Sequence, residues 1–255
     1  MTSLPALLAQ AKHTETGFTT EIPSNWLQGR TAYGGLSAAL ALAAAKQIEP
    51  DLPPLRSAQV AFIGPLAGPV TVSATKLRRG RNAAFIQADI VSEAGLGLRT
   101  TFVFMAQLQS AIDHDVTALS DHRPPPADAQ LYTGPAGFFT GNFNFFDLKA
   151  PGATEWLRWG RLIDREGLDP EVELMAMGDA LPPAAFKLFQ KMTPLSSLTW
   201  IVNILQPRPT TRDGWWLLEA ETDRARDGYS SQSMRMSNAD GTRVAEGMQG
   251  VAIFG

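Results

Sequence analysis

The stretch 29-GRTAYGGLSAALALAAAKQ-47 decides how the chain is read. Two adjacent glycines, Gly34 and Gly35, stand at the head of a run dominated by alanine. Glycine is the costliest ordinary residue in a helix and alanine the cheapest. The run therefore predicts a helix whose first turn, for a separate reason, carries residues without side chains. It is apolar nearly all round, so it lacks the usual amphipathic stripe and predicts a buried helix. A sheet curled around it would need small side chains on most faces, and the alanines supply them.

Reading outward, a short strand near Phe18–Ile22 precedes the helix, and four strands follow it near Arg56–Ile63, Val70–Arg79, Asn82–Ser92 and Leu98–Ala106. These runs alternate or stay apolar over strand lengths, with Gly, Pro and Asn between them. A polar stretch with three prolines, Pro124 to Pro126, reads as a linker. Beyond it the order recurs: strands near Phe138–Phe146 and Glu155–Leu162, a helix opened by Asp169–Pro170, then four further strand-like runs ending on "VAIF". "FIQADIVSEAG" and "SSQSMRMSNADG" align across the two halves, which makes the chain a duplicated module. The expected division is residues 1–108, a linker 109–136, and residues 137–255. The second helix is less regular than the first, interrupted by Gly178 and by Pro182–Pro183.

Composition bounds the function. The 22 Lys and Arg against 25 Asp and Glu give a net charge of −3, without the basic excess that a phosphate backbone demands, so no nucleic-acid partner is expected. With no cysteine there are no disulfides, thiolate metal sites or Cys nucleophiles, and a cytoplasmic setting fits best. The longest mainly apolar stretch, Leu36 to Ala45, falls far short of the roughly 20 residues of a membrane span. No metal and no cofactor is called for.

The usual catalytic signatures are missing: no G-x-S-x-G elbow, no Walker A, no H-E-x-x-H. The three histidines, His13, His114 and His122, lie outside the predicted sheets, which argues against a histidine base. Chemistry would fall to carboxylates, amides, hydroxyls and backbone N–H groups. Gly34 and Gly35 have open readings: a tight strand-to-helix turn, a close touch of the helix on the sheet, or bare N–H donors at a helix start that hold an anion or polarise a carbonyl. The arginines of "LRRGRN", among them Arg79 and Arg81, read either as a solvated hairpin tip or as a grip on phosphates. Asp179, in an apolar helical stretch, is either a cap at the Gly178 break or a buried general base.

Taken together, "GRTAYGGLSAALALAA", "LRRGRN" and the terminal "DGTRVAEGMQGVAI" resemble the TesB-like (thioesterase II-type) acyl-CoA thioesterases across nearly the whole chain. The resemblance implies an α+β tandem double hotdog: two antiparallel sheets, each wrapped around a long central helix and joined into one continuous sheet. It implies an acyl-CoA substrate, hydrolysed by activated water without a covalent nucleophile, and a homo-oligomer. Asp, Ser/Thr and Gln of the second module are the implied water-activating groups. Gln249 falls at the Gln, Thr222 at the Ser/Thr with Asp223 beside it, and Thr199 where the Asp is expected. Threonine cannot take a proton from water at neutral pH, so Asp179 or Asp223 would have to serve as base. Tyr33, Gly34, Gly35, Arg79 and Arg81 are the expected substrate-binding residues. The alternative is an acyl-CoA- or fatty-acid-binding protein that kept the fold and lost the base.

Overall fold

The computed structural model describes residues 1–191 and 193–254. The first half runs α1 (Leu4–Ala9), β1 (Lys12–Thr14), β2 (Gly17–Ile22), a small hairpin of β3 (Leu27–Gln28) and β4 (Thr31–Ala32), then α2 (Gly34–Ile48). A meander follows: β5 (Leu55–Phe62), β6 (Gly68–Arg79), β7 (Ala83–Ser92) and β8 (Gly95–Met105). The second half holds β9 (Phe143–Asp147), β10 (Glu155–Leu162), α3 (Pro170–Gly178), β11 (Leu195–Ile204), β12 (Trp216–Arg226), β13 (Tyr229–Ser237) and β14 (Arg243–Ile253). The repeated order in the sequence is thus a repeated order of elements.

Twelve strands form one sheet in the order β1-β2-β6-β7-β8-β5-β11-β14-β13-β12-β10-β9, with β3 and β4 apart. The halves meet where β5 and β11 run antiparallel, Thr199 opposite Ala61 through Asn203 opposite Ser57. The sheet curls around α2, whose Leu36, Leu40 and Leu42 are fully buried among its alanines. Each such leucine contributes about 1.5–3 kcal/mol relative to exposure. The alanines let α2 approach β6, β7 and β8 closely on several faces.

Two sequence expectations need correction. The second helix is not long: α3 has nine residues. Asp169 caps its start by accepting from the Glu171 and Val172 N–H groups, with Pro170 in the first turn. It stops at Gly178 because Asp179 leaves helical geometry (φ −102°, ψ 10°) and Pro182–Pro183 cannot continue it. A short 3₁₀ segment, Ala184–Leu188, follows. The expected strand from Phe138 also begins later, because Phe139–Asn142 forms a 3₁₀ turn in which Asn142 bonds back to the Phe139 carbonyl.

Side-chain contacts brace the halves. Lys46, near the end of α2, lies 2.6 Å from Asp169 and 2.7 Å from the buried Glu171, whose other oxygen accepts the Leu55 N–H at 2.8 Å. The opposite sheet face carries a smaller cluster of Leu157, Trp159, Trp215 and Leu217, covered by Leu131, Phe146 and Leu148.

Candidate active site

The site lies where the start of α2 meets the end of α3. Tyr33 precedes α2 and is fully buried; its hydroxyl donates to the Ala176 carbonyl of α3 at 2.7 Å, and its ring stacks on Phe139 at 4.4 Å. This clamp draws the helix ends together. A Cβ on Gly34 would stand 2.5 Å from the Asp179 Oδ2, and one on Gly35 would stand 2.6 Å from the Ala176 oxygen. Neither glycine has a positive φ, so the pair serves close approach and not a turn.

Asp179 is the residue they approach. The first N–H groups of a helix have no partner inside it and carry its positive end, and the Gly35 N–H faces the Asp179 carboxyl and favours its charged form. From the sheet side, Gln249 of β14 donates its Nε2 to the Asp179 Oδ1 at 2.7 Å. Gln249 Oε1 in turn accepts from Gln232 Nε2 of β13 at 2.8 Å, and Gln232 Oε1 accepts from the Ala184 N–H at 2.7 Å. Burial raises the Asp179 pKa to about 7, outweighing the Gln249 bond and the Gly35 N–H, which lower it. Asp179 retains some exposure, whereas both glutamines are buried. A carboxyl so placed gains and loses its proton near neutrality, as a general base must.

Thr222 sits beside this chain. It lies in the β12 bulge between Glu221 and Arg224, across from Gln232, and is buried. Its Oγ1 has no hydrogen-bond partner in the structure, and neither has the indole Nε1 of Trp200, the cross-strand neighbour of Gln249. Leaving a buried polar atom unpaired costs about 1–3 kcal/mol, so both can offer a bond to a bound water or substrate.

Several expected site residues lie elsewhere. Thr199 is exposed, while its neighbour Trp200 and its cross-strand diagonal Gln249 are buried on the inner face. Successive strand side chains alternate faces, so Thr199 points away from Asp179. Asp223 is exposed beside the buried Thr222. Arg79 faces Glu49 at 3.8 Å and donates to the Asp51 carbonyl, beyond the far end of α2. That end is about 20 Å of helix from Gly34, and Arg81 is exposed on the same hairpin. Tyr33 is spent on the clamp. The Gly35 N–H lies on the Asp179 side of the first turn of α2.

Gln232 was missed by the sequence reading, although a signal exists: in 229-YSSQSMRMS-237 it shares a face with Met234 and Met236, both buried. A cleft of about 570 Å³ opens at the other end of α3, lined by Asp164, Arg165, Glu173, Thr211 and Trp216. There the buried Glu173 accepts from Trp216 Nε1 at 3.0 Å and faces Arg165 at 3.3 Å. Among the described residues, no acidic or histidine cluster suits a metal, and no helix is long and apolar enough to cross a membrane.

Comparison with known proteins bears on both halves. A family model described as acyl-CoA thioesterase N-terminal domain matches residues 22–109, and one described as acyl-CoA thioesterase C-terminal domain matches residues 110–253. No curated protein matches the sequence. Among solved structures, a hot dog fold protein of unknown function from Alicyclobacillus acidocaldarius superposes with a TM-score of 0.82 at 20% identity, covering 96% of each chain. A putative thioesterase II from Thermobifida fusca gives 0.82 at 19% identity over 99% of this chain and 98% of its own. A tesB protein from Mycobacterium avium subsp. paratuberculosis gives 0.79 at 17% identity over 98% and 99%. At these identities the structural likeness carries the hotdog fold.

Proposed function

The chain belongs to the acyl-CoA thioesterase family, of the TesB-like kind, and from that premise we propose that it hydrolyses acyl-CoA to CoA and a free acid with Asp179 as general base. The observation that carries this reading is the Gln249–Asp179 bond of 2.7 Å at the start of α2. In the carboxylate form Asp179 takes a proton from water as the water oxygen attacks the thioester carbon. The tetrahedral intermediate then collapses, the carbon–sulfur bond breaks, and the proton on Asp179 goes to the departing CoA thiolate. Gln249 holds the carboxylate, and Thr222 Oγ1, free of protein partners, positions the water. Oxyanion stabilisation falls to the first-turn N–H donors of α2 and its positive end. Gly34 keeps that backbone within a substrate's reach.

The ground for a non-catalytic reading was Thr199 in the place of the acid. Asp179 beside Gln249 offers a carboxyl for that role and favours hydrolysis. Free-thiol release from a panel of acyl-CoAs tests it: wild-type protein should turn over at least one chain length. Asp179→Asn should lose about 10²–10⁴-fold in kcat. A folded wild-type protein that releases no thiol from any acyl-CoA would overturn the enzyme reading.

A further inference from the structure

We propose that Gln232 is a positioning residue: anchored on the Ala184 N–H, it fixes which end of the Gln249 amide faces Asp179 and makes the carboxylate the favoured partner. The proposal rests on the reading of Asp179 as the base. A side-chain amide presents an acceptor oxygen or, after a half-turn, a donor nitrogen. A backbone N–H can only donate. Because the Ala184 N–H donates to Gln232 Oε1, the Gln232 nitrogen is left for Gln249 Oε1, and the Gln249 nitrogen is left for Asp179. The direction of all three bonds is thus set at the end farthest from the acid, by a group that cannot reverse.

Burial makes the constraint effective. Gln232 and Gln249 are 1% and 2% exposed, so bulk water offers neither amide another partner. A pinned Gln249 can only donate, which suits the carboxylate. An unpinned one could turn its oxygen to the protonated acid and bind either form equally well. Removing the pin should therefore favour protonation and weaken the base at neutral pH.

The groups packed around Asp179 contain few competitors for this effect. From α2 come the Gly35 N–H and Tyr33, whose hydroxyl stays neutral because burial and Asp179 raise its pKa well above the usual value. From the sheet come Gln249, the indole of Trp200 against Gly178 and the ring of Phe62 against Gly34, none of which titrates. Ala184 itself opens the 3₁₀ segment after Pro182–Pro183, so the placement of that segment is wired to the acid through Gln232.

The test is a ¹³C-aspartate NMR titration of Asp179 in the full chain, with pH profiles of kcat/KM, for wild type, Gln232→Leu and Gln232→Glu. In Gln232→Leu the carboxyl midpoint should rise by about one pH unit, the size of the difference between a charge-assisted and a neutral hydrogen bond. The acid limb of kcat/KM should move with it while KM changes little. Gln232→Glu should raise the midpoint further, since a carboxylate accepts from Ala184, cannot donate to Gln249, and adds negative charge. Should the Glu variant fail to fold, the Leu variant decides. A folded Gln232→Leu whose midpoint stays at the wild-type value overturns the proposal. If the midpoint moves in a protein that hydrolyses no acyl-CoA, the hydrolytic reading fails and the positioning of Asp179 by Gln232 stands.

Discussion

Asp179 titrates where an enzyme works, and this has opposite consequences for activity and stability. Its folded pKa is raised to about 7 from an ordinary 3.8. With Asp179 as the proposed base, activity follows its carboxylate form, so kcat/KM should climb about tenfold per pH unit below 7 and level off above it. Stability runs the other way. Between these two values the folded state holds a proton that the unfolded state has lost, so stability falls as pH rises from about 4 to about 7. Asp179→Asn removes that dependence. Its melting temperature should exceed wild type by several degrees at pH 8, at about 2–4 °C per kcal/mol for a chain of this size. The advantage should shrink towards pH 4; thermal melts at both values check this, and an equal gap would contradict it.

At the scale of elements, Gly34→Ala separates function from folding. The helix itself would gain about 1 kcal/mol from alanine. The added Cβ, however, would fall 2.5 Å from Asp179 Oδ2 and 2.8 Å from the Phe62 ring. The most movable of these is the carboxylate, whose displacement should cost about 10²-fold in kcat. Denaturant stability should change by less than about 2 kcal/mol, since overpacking costs about 1–3 kcal/mol against that gain. Paired kinetics and unfolding curves measure both.

The same scale shows what the sequence made legible. The alanine run and the alternating strands announced α2 and β5 to β8, because composition and side-chain period are local properties. The acid was harder to place, for Asp179 sits at a helix end where no period operates. Thr199 misled because one residue of register decides a strand residue's face, and Trp200 holds the inner one. Gln232 stayed unnoticed because a polar residue in a strand reads as solvent-facing unless its neighbours Met234 and Met236 are read with it. The clamp of Tyr33 on Ala176 joins residues 143 positions apart, which no local pattern contains.

For the molecule as a whole, the join between halves is tested by Lys46→Met. Glu171 is 2% exposed and Lys46 is its cationic partner at 2.7 Å. Removing the lysine leaves a buried carboxylate held only by the Leu55 N–H, and breaking such a pair costs about 3–5 kcal/mol. Urea unfolding should show that loss, with kcat near wild type in the folded protein because the brace lies at the other end of α2 from Gly34. Residues 1–108 and 109–255, expressed separately, should each lack thioesterase activity, because Gly34 and Gly35 lie in one and Asp179 and Gln249 in the other.

That division bears on how such a chain can change over generations. The acid hangs from one half and the bare backbone that receives it belongs to the other, so neither copy of the duplicated module can drift into an independent enzyme. Recombination can still exchange whole halves without cutting an element if the crossover falls between Met105 and Tyr132, where the chain is mostly exposed. The junction that must survive any such exchange comprises the β5–β11 seam, the Lys46–Glu171 brace, and the meeting of Gly34, Gly35 and Tyr33 with Asp179 and the carbonyl of Ala176.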